Sequence, residues 1–244
     1  MIHIDLLNRS SQVSDLTVKY LRDALQTQVN RDFEPIWGFG AALTFVPKGG
    51  YLDPTHWQLI FFDNADVAGA LGYHELTTAG LPLGKVFVQT AKQAGLSWTI
   101  TASHELLEML GDPYANTAVI ILDNSDIAGT AYAYEVCDAC EDDSFGYMIY
   151  GFQVSDFVKP EWFEPPPGNT PATKTFDFKG HITAPFQLLM GGYIGVFQIP
   201  DTAGWAQLNA VLSDVNAQKV DLKPRSSRLK LRQTPQQQRK NSSV

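Results

Sequence analysis

The sequence has little cysteine, since Cys137 and Cys140 are the only two among 244 residues. One pair cannot supply the disulfide framework of a small secreted fold. It also supplies only two of the four ligands that a four-cysteine zinc site needs. We interpret this CxxC as a reduced structural pair or as a redox-sensitive bridge. Stability must therefore come from packing or from a metal ion bound elsewhere.

Long apolar runs are also lacking. No stretch approaches the roughly 18 apolar residues that a membrane-spanning helix needs, and residues 1–15 lack the basic start and apolar run of a signal peptide. The sequence predicts a cytoplasmic protein with no membrane partner. Because 44% of the residues are hydrophobic and 11% are aromatic, we expect one core, or one core divided into two lobes by a cleft.

Positive charge is scarce over most of the chain. Seven of the 18 Lys and Arg lie in residues 223–244, which contain no Asp or Glu, so residues 1–222 hold 11 basic against 26 acidic side chains, a net charge of −15. This charge argues against nucleic acid as a partner of the body of the protein. We expect the basic, low-complexity tail to be flexible and to contact an acidic partner or a larger assembly.

One interval has no positive side chain at all. No Lys or Arg occurs between Lys92 and Lys159, whereas 11 acidic residues do. Carboxylates that converge in a fold repel one another unless cations offset them. These acids therefore either stay solvated and apart, or they surround metal ions.

Hydrophobic periodicity predicts an α+β protein with a mixed sheet in its first half. The expected strands cover residues 2–6, 41–46, 57–62, 68–76 and 83–90. Ser14 can cap a helix that follows the first strand. Ser97 is a candidate N-cap for a central helix over residues 98–110, which Gly111 and Pro113 would end.

The second half is expected to form a smaller, irregular, β-rich lobe. Residues 118–122 and 131–136 fit either strands or the edge of a helix, and residues 147–154 fit a hairpin arm. We predict a final hairpin over residues 176–199 and a terminal helix over residues 203–217.

These patterns predict one domain over residues 1–200, with an N-terminal lobe at 1–111 and a C-terminal lobe at 112–200. A terminal segment that contains the predicted helix follows at 201–222. The basic tail then occupies residues 223–244.

A candidate metal site lies on the predicted central helix. His104 and Glu108 are four residues apart, so their side chains lie one turn apart on the same face and can bind one cation. Glu105 is close enough to act on a water beside that cation. This is the geometry of the H-E-x-x-H motif, in which two histidines bind zinc and the glutamate is the general base. Here the fifth residue is Glu, which gives H-E-x-x-E.

The alternative is an ordinary amphipathic helix with a solvated polar face. The polar stripe consists of Thr101, His104, Glu105, Glu108 and Asp112. It contains no Lys or Arg, which usually occupy solvated faces, and the downstream acids offer further oxygen ligands. The sequence therefore favours a metal site over a solvated face.

The order of these segments resembles that of the zincin metallopeptidases, and of metzincins in particular, in which a sheet with an edge strand precedes the active-site helix. The resemblance is carried by AGALGYHELTTAGLPLGKVFV, residues 68–88, followed by TITASHELLEMLGDP, residues 99–113. It covers residues 1–113. The motifs SHELLEML-DP, EVCDACE and VSDFV-P-WF are also similar to a group of bacterial and phage-type proteins, which extends the resemblance to about residue 195.

The chain departs from the metzincin pattern at two positions. Glu108 stands where the second histidine belongs, and the third residue after Gly111 is not the histidine that serves as third ligand. Met190 followed by residues 191–193 is faintly similar to a Met-turn, although methionine in an apolar hairpin is usually part of the core.

The resemblance implies a third ligand downstream of the helix, by analogy with zincins whose third ligand is an acid. Glu135 and Asp138 are the preferred candidates, with a surface acidic loop as the alternative. Asp112 would bind only if the helix ends before it, and otherwise stabilises the following turn. The acids at 141–143 are expected to face water or to bind a separate hard cation such as calcium.

The resemblance implies a metal-dependent hydrolase of peptide or protein substrates. Glu105 would take a proton from the attacking water and pass it to the leaving amine, and an edge strand near residues 68–76 would pair with the substrate. His74 would contact substrate or metal, or serve as a structural histidine. Zinc is the expected cation, and oxygen-rich ligands also suit manganese or calcium. The alternative is a non-catalytic module on the same scaffold, in which metal serves stability or is absent.

Overall fold

Five strands from the first half of the chain form one mixed sheet in the computed structural model, which describes residues 1–123, 127–164, 174–200, 204–210 and the backbone of 220–221. The strands are β1 (Ile2–Asn8), β2 (Ala41–Val46), β3 (Trp57–Phe62), β4 (Gly72–Leu76) and β5 (Pro82–Phe87). Their order is β2-β1-β3-β5-β4. The first four in this order run parallel, and β4 runs antiparallel to β5. The antiparallel strand β4 is therefore one edge of the sheet.

Helix α1 (Asp15–Thr27) makes the crossover between the parallel strands β1 and β2. It begins as predicted at Ser14, whose side chain accepts a hydrogen bond from the backbone N–H of Thr17. The chain continues through a π-helical segment, Gln28–Phe33, and the short helix α2 (Glu34–Trp37). A further short helix, α3, covers Val88–Gln93.

The central helix α4 covers Trp98–Gly111 and confirms the predicted helix. Ser97 is its N-cap and accepts a hydrogen bond from the backbone N–H of Ile100 at 3.4 Å. All residues from 99 to 110 are buried, because α4 packs on β4 and β5 on one side and on the C-terminal half on the other. The polar stripe of this helix therefore lies inside the protein, and the alternative of a solvated face is wrong.

The second half of the chain is built on an antiparallel sheet with the order β12-β11-β10-β7-β6. Its strands are β6 (Ala118–Leu122), β7 (Gly129–Ala133), β10 (Tyr193–Ile199), β11 (Ala206–Asn209) and β12 (Val220–Asp221). A separate hairpin pairs β8 (Tyr147–Ile149) with β9 (Phe152–Val154), so the residues predicted as one hairpin arm form both arms. The protein is thus of the α+β class.

The strand predicted over residues 83–90 ends at Phe87, where α3 follows, and two predicted elements of the second half differ in type from the structure. The final hairpin over residues 176–199 is reduced to β10, because the Asp177 carboxylate accepts hydrogen bonds from the backbone N–H groups of His181 and Ile182 and closes a loop where the first arm was expected. Within the predicted terminal helix, residues 206–209 instead form β11, which pairs with the open edge of β10.

Several other expectations concern residues that the structure does not describe. Most of the predicted helix, at 211–217, and the basic tail at 223–244 lie outside the described residues. Among the described residues, none of the helices combines the length and the apolar character that crossing a bilayer requires.

The two predicted lobes share one hydrophobic cluster. Leu106 and Leu107 of α4 belong to the same buried cluster as Val136, Phe157 and Trp162 from the second half. Cys137 and Cys140 lie in this cluster as free, buried thiols, and burial raises the pKa of both. Protonated thiols in an apolar cluster fit the structural interpretation of the CxxC.

Candidate metal centre

Helix α4 carries His104 and Glu108 into the interior on one face. The Nε2 atom of His104 lies 3.2 Å from Oε1 of Glu108, and each side chain is only 1% exposed. The i, i+4 spacing therefore has the geometry that the sequence predicted, in a buried setting.

Asp138 joins this pair from a different part of the chain. It lies in a 3-10 turn, Asp138–Cys140, and its Oδ1 atom is 3.3 Å from Nε2 of His104. One potential ligand atom from each of His104, Glu108 and Asp138 lies within 4.8 Å of the others. Two atoms that are each about 2.0–2.2 Å from a shared zinc ion, at tetrahedral angles, are about 3.3–3.6 Å apart. The observed spacing fits a shared cation.

His74 faces the same helix from the edge strand β4. Its Nδ1 atom lies 3.6 Å from Oε2 of Glu105 and 3.8 Å from Oε2 of Glu108. These three residues form a second group of potential ligands, all buried. The sequence leaves His74 as a contact of substrate or metal or as a structural histidine, and the structure places its ring against the carboxylates of α4.

The close approach of β4 and α4 depends on a glycine. A Cβ atom at Gly72 would lie 2.6 Å from Cγ2 of Thr101 and 2.8 Å from Oε1 of Glu105. A side chain at this position would push the strand away from the helix. Gly72 therefore allows His74, two residues further along β4, to reach the carboxylates.

The other predicted acidic ligands have different positions. Glu135 is buried but belongs to neither group of potential ligands within the part of the chain that the structure describes. The Asp112 carboxylate accepts hydrogen bonds from the backbone N–H groups of Asn116 and Thr117, so it stabilises the turn after the helix. Of the two preferred candidates, Asp138 is therefore the one that shares a group of potential ligands with His104 and Glu108.

The acids at 141–143 do not all face water as expected. Glu141 is buried, whereas Asp142 and Asp143 are partly exposed. Asp143 accepts a hydrogen bond from the backbone N–H of Ser97 at 2.6 Å, immediately before helix α4. Its carboxylate therefore connects the acidic segment to the start of the central helix.

Tyr193 is a site residue that the sequence did not identify. It lies at the start of β10, is buried, and its side chain interacts with the carboxylate of Asp138. Burial raises the pKa of Tyr193 strongly, and the nearby carboxylates of Asp138, Glu141 and Glu108 raise it further. The phenol therefore stays protonated and can orient Asp138.

The Gly-Gly pair at residues 191–192 is the feature of the sequence that could have indicated the position of Tyr193. A Cβ atom at Gly192 would overlap the carbonyl oxygen of Ala139 and lie 3.0 Å from that of Asp138, so only glycine lets the chain pass this close to the turn. The Gly-Gly pair before a tyrosine was visible in the sequence, but the turn that it contacts was not. Met190 is 57% exposed, which contradicts its interpretation as a core residue.

The chain was compared with family models, with curated proteins and with solved structures, and no match was found in any of the three.

Proposed function

We propose that this protein is a metal-dependent hydrolase of the peptidase type, with a cation held by His104, Glu108 and Asp138. The observation that carries the proposal is the distance of His104 Nε2 from the two carboxylate oxygens, 3.2 and 3.3 Å. A neutral imidazole and two carboxylates offset the charge of one divalent ion. The nitrogen donor favours zinc or manganese over calcium, which prefers oxygen ligands alone.

The fold around the site supports a zincin-like assignment. The resemblance predicts a sheet with an edge strand ahead of the active-site helix, and the antiparallel strand β4 precedes α4 at the edge of the first sheet. Among the described strands, only β5 pairs with β4. The outer edge of β4 can therefore accept an extended peptide as an added strand.

Within the reaction, Glu105 would act as the general base. A bound cation would supply Lewis acidity, which polarises the scissile carbonyl and makes a neighbouring water easier to deprotonate. The carboxylate of Glu105 would accept a proton from the attacking water and deliver it to the leaving amine nitrogen. The buried position of Glu105 raises the strength of its electrostatic interactions relative to bulk water.

A second candidate function is a structural metal centre without catalysis. The burial of His104, Glu108 and Asp138, each at most 2% exposed, favours this role. A cation held there would connect α4 to the turn at Asp138 and so stabilise the contact between the two halves of the chain. The zincin-like scaffold would then serve binding or assembly.

Metal analysis combined with a peptide-cleavage assay tests the proposed function. We expect the purified protein to contain zinc or manganese, Glu105→Gln to lose cleavage while it keeps the ion bound by His104, and His104→Ala to lose that ion. Glu164→Gln, at an exposed glutamate outside α4 and β4, is the control and should change neither property. If the Glu105→Gln variant still cleaves peptides, Glu105 is not the general base and the proposed mechanism is wrong.

Chelation followed by thermal melting separates the two candidates. If the untreated protein shows no cleavage of a diverse peptide library but melts much earlier after chelation, the structural role stands and the hydrolase is wrong. If chelation abolishes cleavage and re-addition of the ion restores it, the hydrolase stands.

A further inference from the structure

We propose that the site holds a second cation, bound by His74, Glu105 and Glu108, and that Glu108 bridges the two ions. This inference rests on the proposed function, because it shares Glu108 with the centre at His104. It deepens that function from a one-ion to a two-ion hydrolase.

The distances around His74 suit a shared cation better than a direct hydrogen bond. Nδ1 lies 3.6 Å from Oε2 of Glu105 and 3.8 Å from Oε2 of Glu108, whereas N–H···O bonds have lengths of about 2.7–3.2 Å. Ligand atoms about 2.0–2.2 Å from one ion are about 3.3–3.6 Å apart at tetrahedral angles. Small side-chain adjustments bring all three atoms to that spacing.

Glu108 presents a different oxygen to each histidine. Its Oε1 atom lies 3.2 Å from Nε2 of His104, and its Oε2 atom lies 3.8 Å from Nδ1 of His74. A carboxylate with this orientation can bind one ion through each oxygen. Two ions bridged in this way would be about 3.5–4 Å apart, as in two-metal hydrolytic sites.

The charge of the ligands also agrees with two ions. Glu105, Glu108 and Asp138 are three buried carboxylates, and one divalent cation offsets only two negative charges. Buried charge is costly unless it is compensated. Two divalent ions offset all three carboxylates and leave a positive centre that can stabilise negative charge on a reacting carbonyl.

The strand that carries His74 is held in a defined position. On the opposite side of β4, Tyr73 and Glu75 contact Lys85 of β5, with the Lys85 Nζ atom 2.6 Å from the Tyr73 hydroxyl and 2.8 Å from Oε1 of Glu75. These contacts hold the register of β4 against β5. His74 therefore approaches α4 from a rigid strand, which is what a preorganised ligand needs.

The second cation gives Glu105 an additional role as a ligand. In a one-ion centre, Glu105→Gln leaves the metal content unchanged, whereas in a two-ion centre it lowers the content from two ions to one. This difference makes Glu105→Gln a probe of the inference that is independent of cleavage. Glutamine also matches glutamate in size, so the Glu105→Gln variant tests metal binding in a folded protein.

The experiment is manganese reconstitution of the metal-free protein, followed by elemental analysis and electron paramagnetic resonance. We expect two manganese ions per chain with an exchange-coupled spectrum in the native protein. His74→Ala and Glu105→Gln should each bind one ion and show the uncoupled six-line spectrum. His3→Ala, a change at an exposed histidine on β1, should keep both ions. Circular dichroism establishes that each variant is folded.

Three results would overturn the inference. The native protein could bind one ion that is retained in His74→Ala and lost in His104→Ala. This result would leave the proposed one-ion centre intact and would exclude the second cation. Two ions without magnetic coupling would place the second one elsewhere. Loss of the second ion in His181→Ala would assign it to the group formed by Asp156, Asp177 and His181.

Discussion

The Nε2 atom of His104 lies 3.3 Å from Oδ1 of Asp138, although 34 positions separate the two residues in the chain. His104 is held by the buried helix α4, and Asp138 lies in a 3-10 turn, where its carboxylate interacts with Tyr193 of β10. Three separate segments of the chain therefore determine the geometry of the candidate centre. Changes in any of the three should alter metal binding in ways that can be measured.

Tyr193→Phe should weaken metal binding without removing a ligand. The substitution deletes the hydroxyl that interacts with the Asp138 carboxylate, and loss of such an orienting contact lowers metal affinity by about 10–100-fold. Competition titration with a chromophoric chelator measures the change. Tyr114→Phe, at an exposed tyrosine, should leave the affinity unaltered. Equal affinities of Tyr193→Phe and the native protein would exclude an orienting role.

Gly192→Ala should disturb the turn that carries Asp138. The added Cβ atom would overlap the Ala139 carbonyl oxygen, so strand β10 or the turn must move. We expect a loss of unfolding free energy of about 1–3 kcal/mol from overpacking, together with weaker metal binding. Urea denaturation and the chelator titration measure the two effects. In the control Gly40→Ala, the added atom meets the flexible end of Glu34, and metal binding should not change.

Ser103→Ala should destabilise the attachment of α4 to the second half of the chain. The Ser103 hydroxyl donates to Oε1 of Gln28 at 2.6 Å and accepts from the backbone N–H of Ser155 at 3.0 Å, both in buried positions. Removal of the hydroxyl leaves these groups without that partner, at a cost of about 1–3 kcal/mol. Chemical denaturation should show this loss, while the exposed Ser144→Ala should stay within experimental error of the native protein.

Asp156→Asn should flatten the dependence of stability on pH. Burial, together with the shared hydrogen bond and negative charge of Asp177, raises the pKa of Asp156 to about 9 from its ordinary value of 3.8. The folded protein therefore keeps a proton on Asp156 that the unfolded chain releases near pH 4. The stabilising contribution is full below that pH and is lost as pH rises toward 9, at up to about 1.4 kcal/mol per pH unit.

Urea midpoints at pH 5, 7 and 9 test this prediction. The native protein should lose stability relative to Asp156→Asn as the pH rises through this window, because Asn resembles the protonated side chain and does not titrate. His181 and Asp177 face Asp156 and are present in both proteins. Asp53→Asn removes an exposed carboxylate whose pKa is lowered, so it should keep the native slope. Parallel slopes for native protein and Asp156→Asn would contradict the prediction.

The strand and helix predictions succeeded where local periodicity and capping carry the information. Strands β2 and β3 have the predicted bounds, and α4 begins after Ser97 and ends within one residue of its predicted end. These elements depend on side chains that are close in sequence. The final hairpin was predicted wrongly because the loop closed by Asp177 depends on side-chain-to-backbone hydrogen bonds, which hydrophobic patterning does not reveal.

The pairing of His104 with Glu108 was determined by the sequence alone, because i, i+4 spacing on a helix fixes which side chains share a face. The choice of Asp138 over Glu135 was decided only by the tertiary structure, since three positions in a turn change the direction in which a carboxylate points. The tertiary structure also determined that His74 and Tyr193 approach the same site, because the positions of their strands depend on Gly72 and on Gly192. Helical geometry is local, whereas the convergence of two sheets on one helix depends on the packing of the whole core.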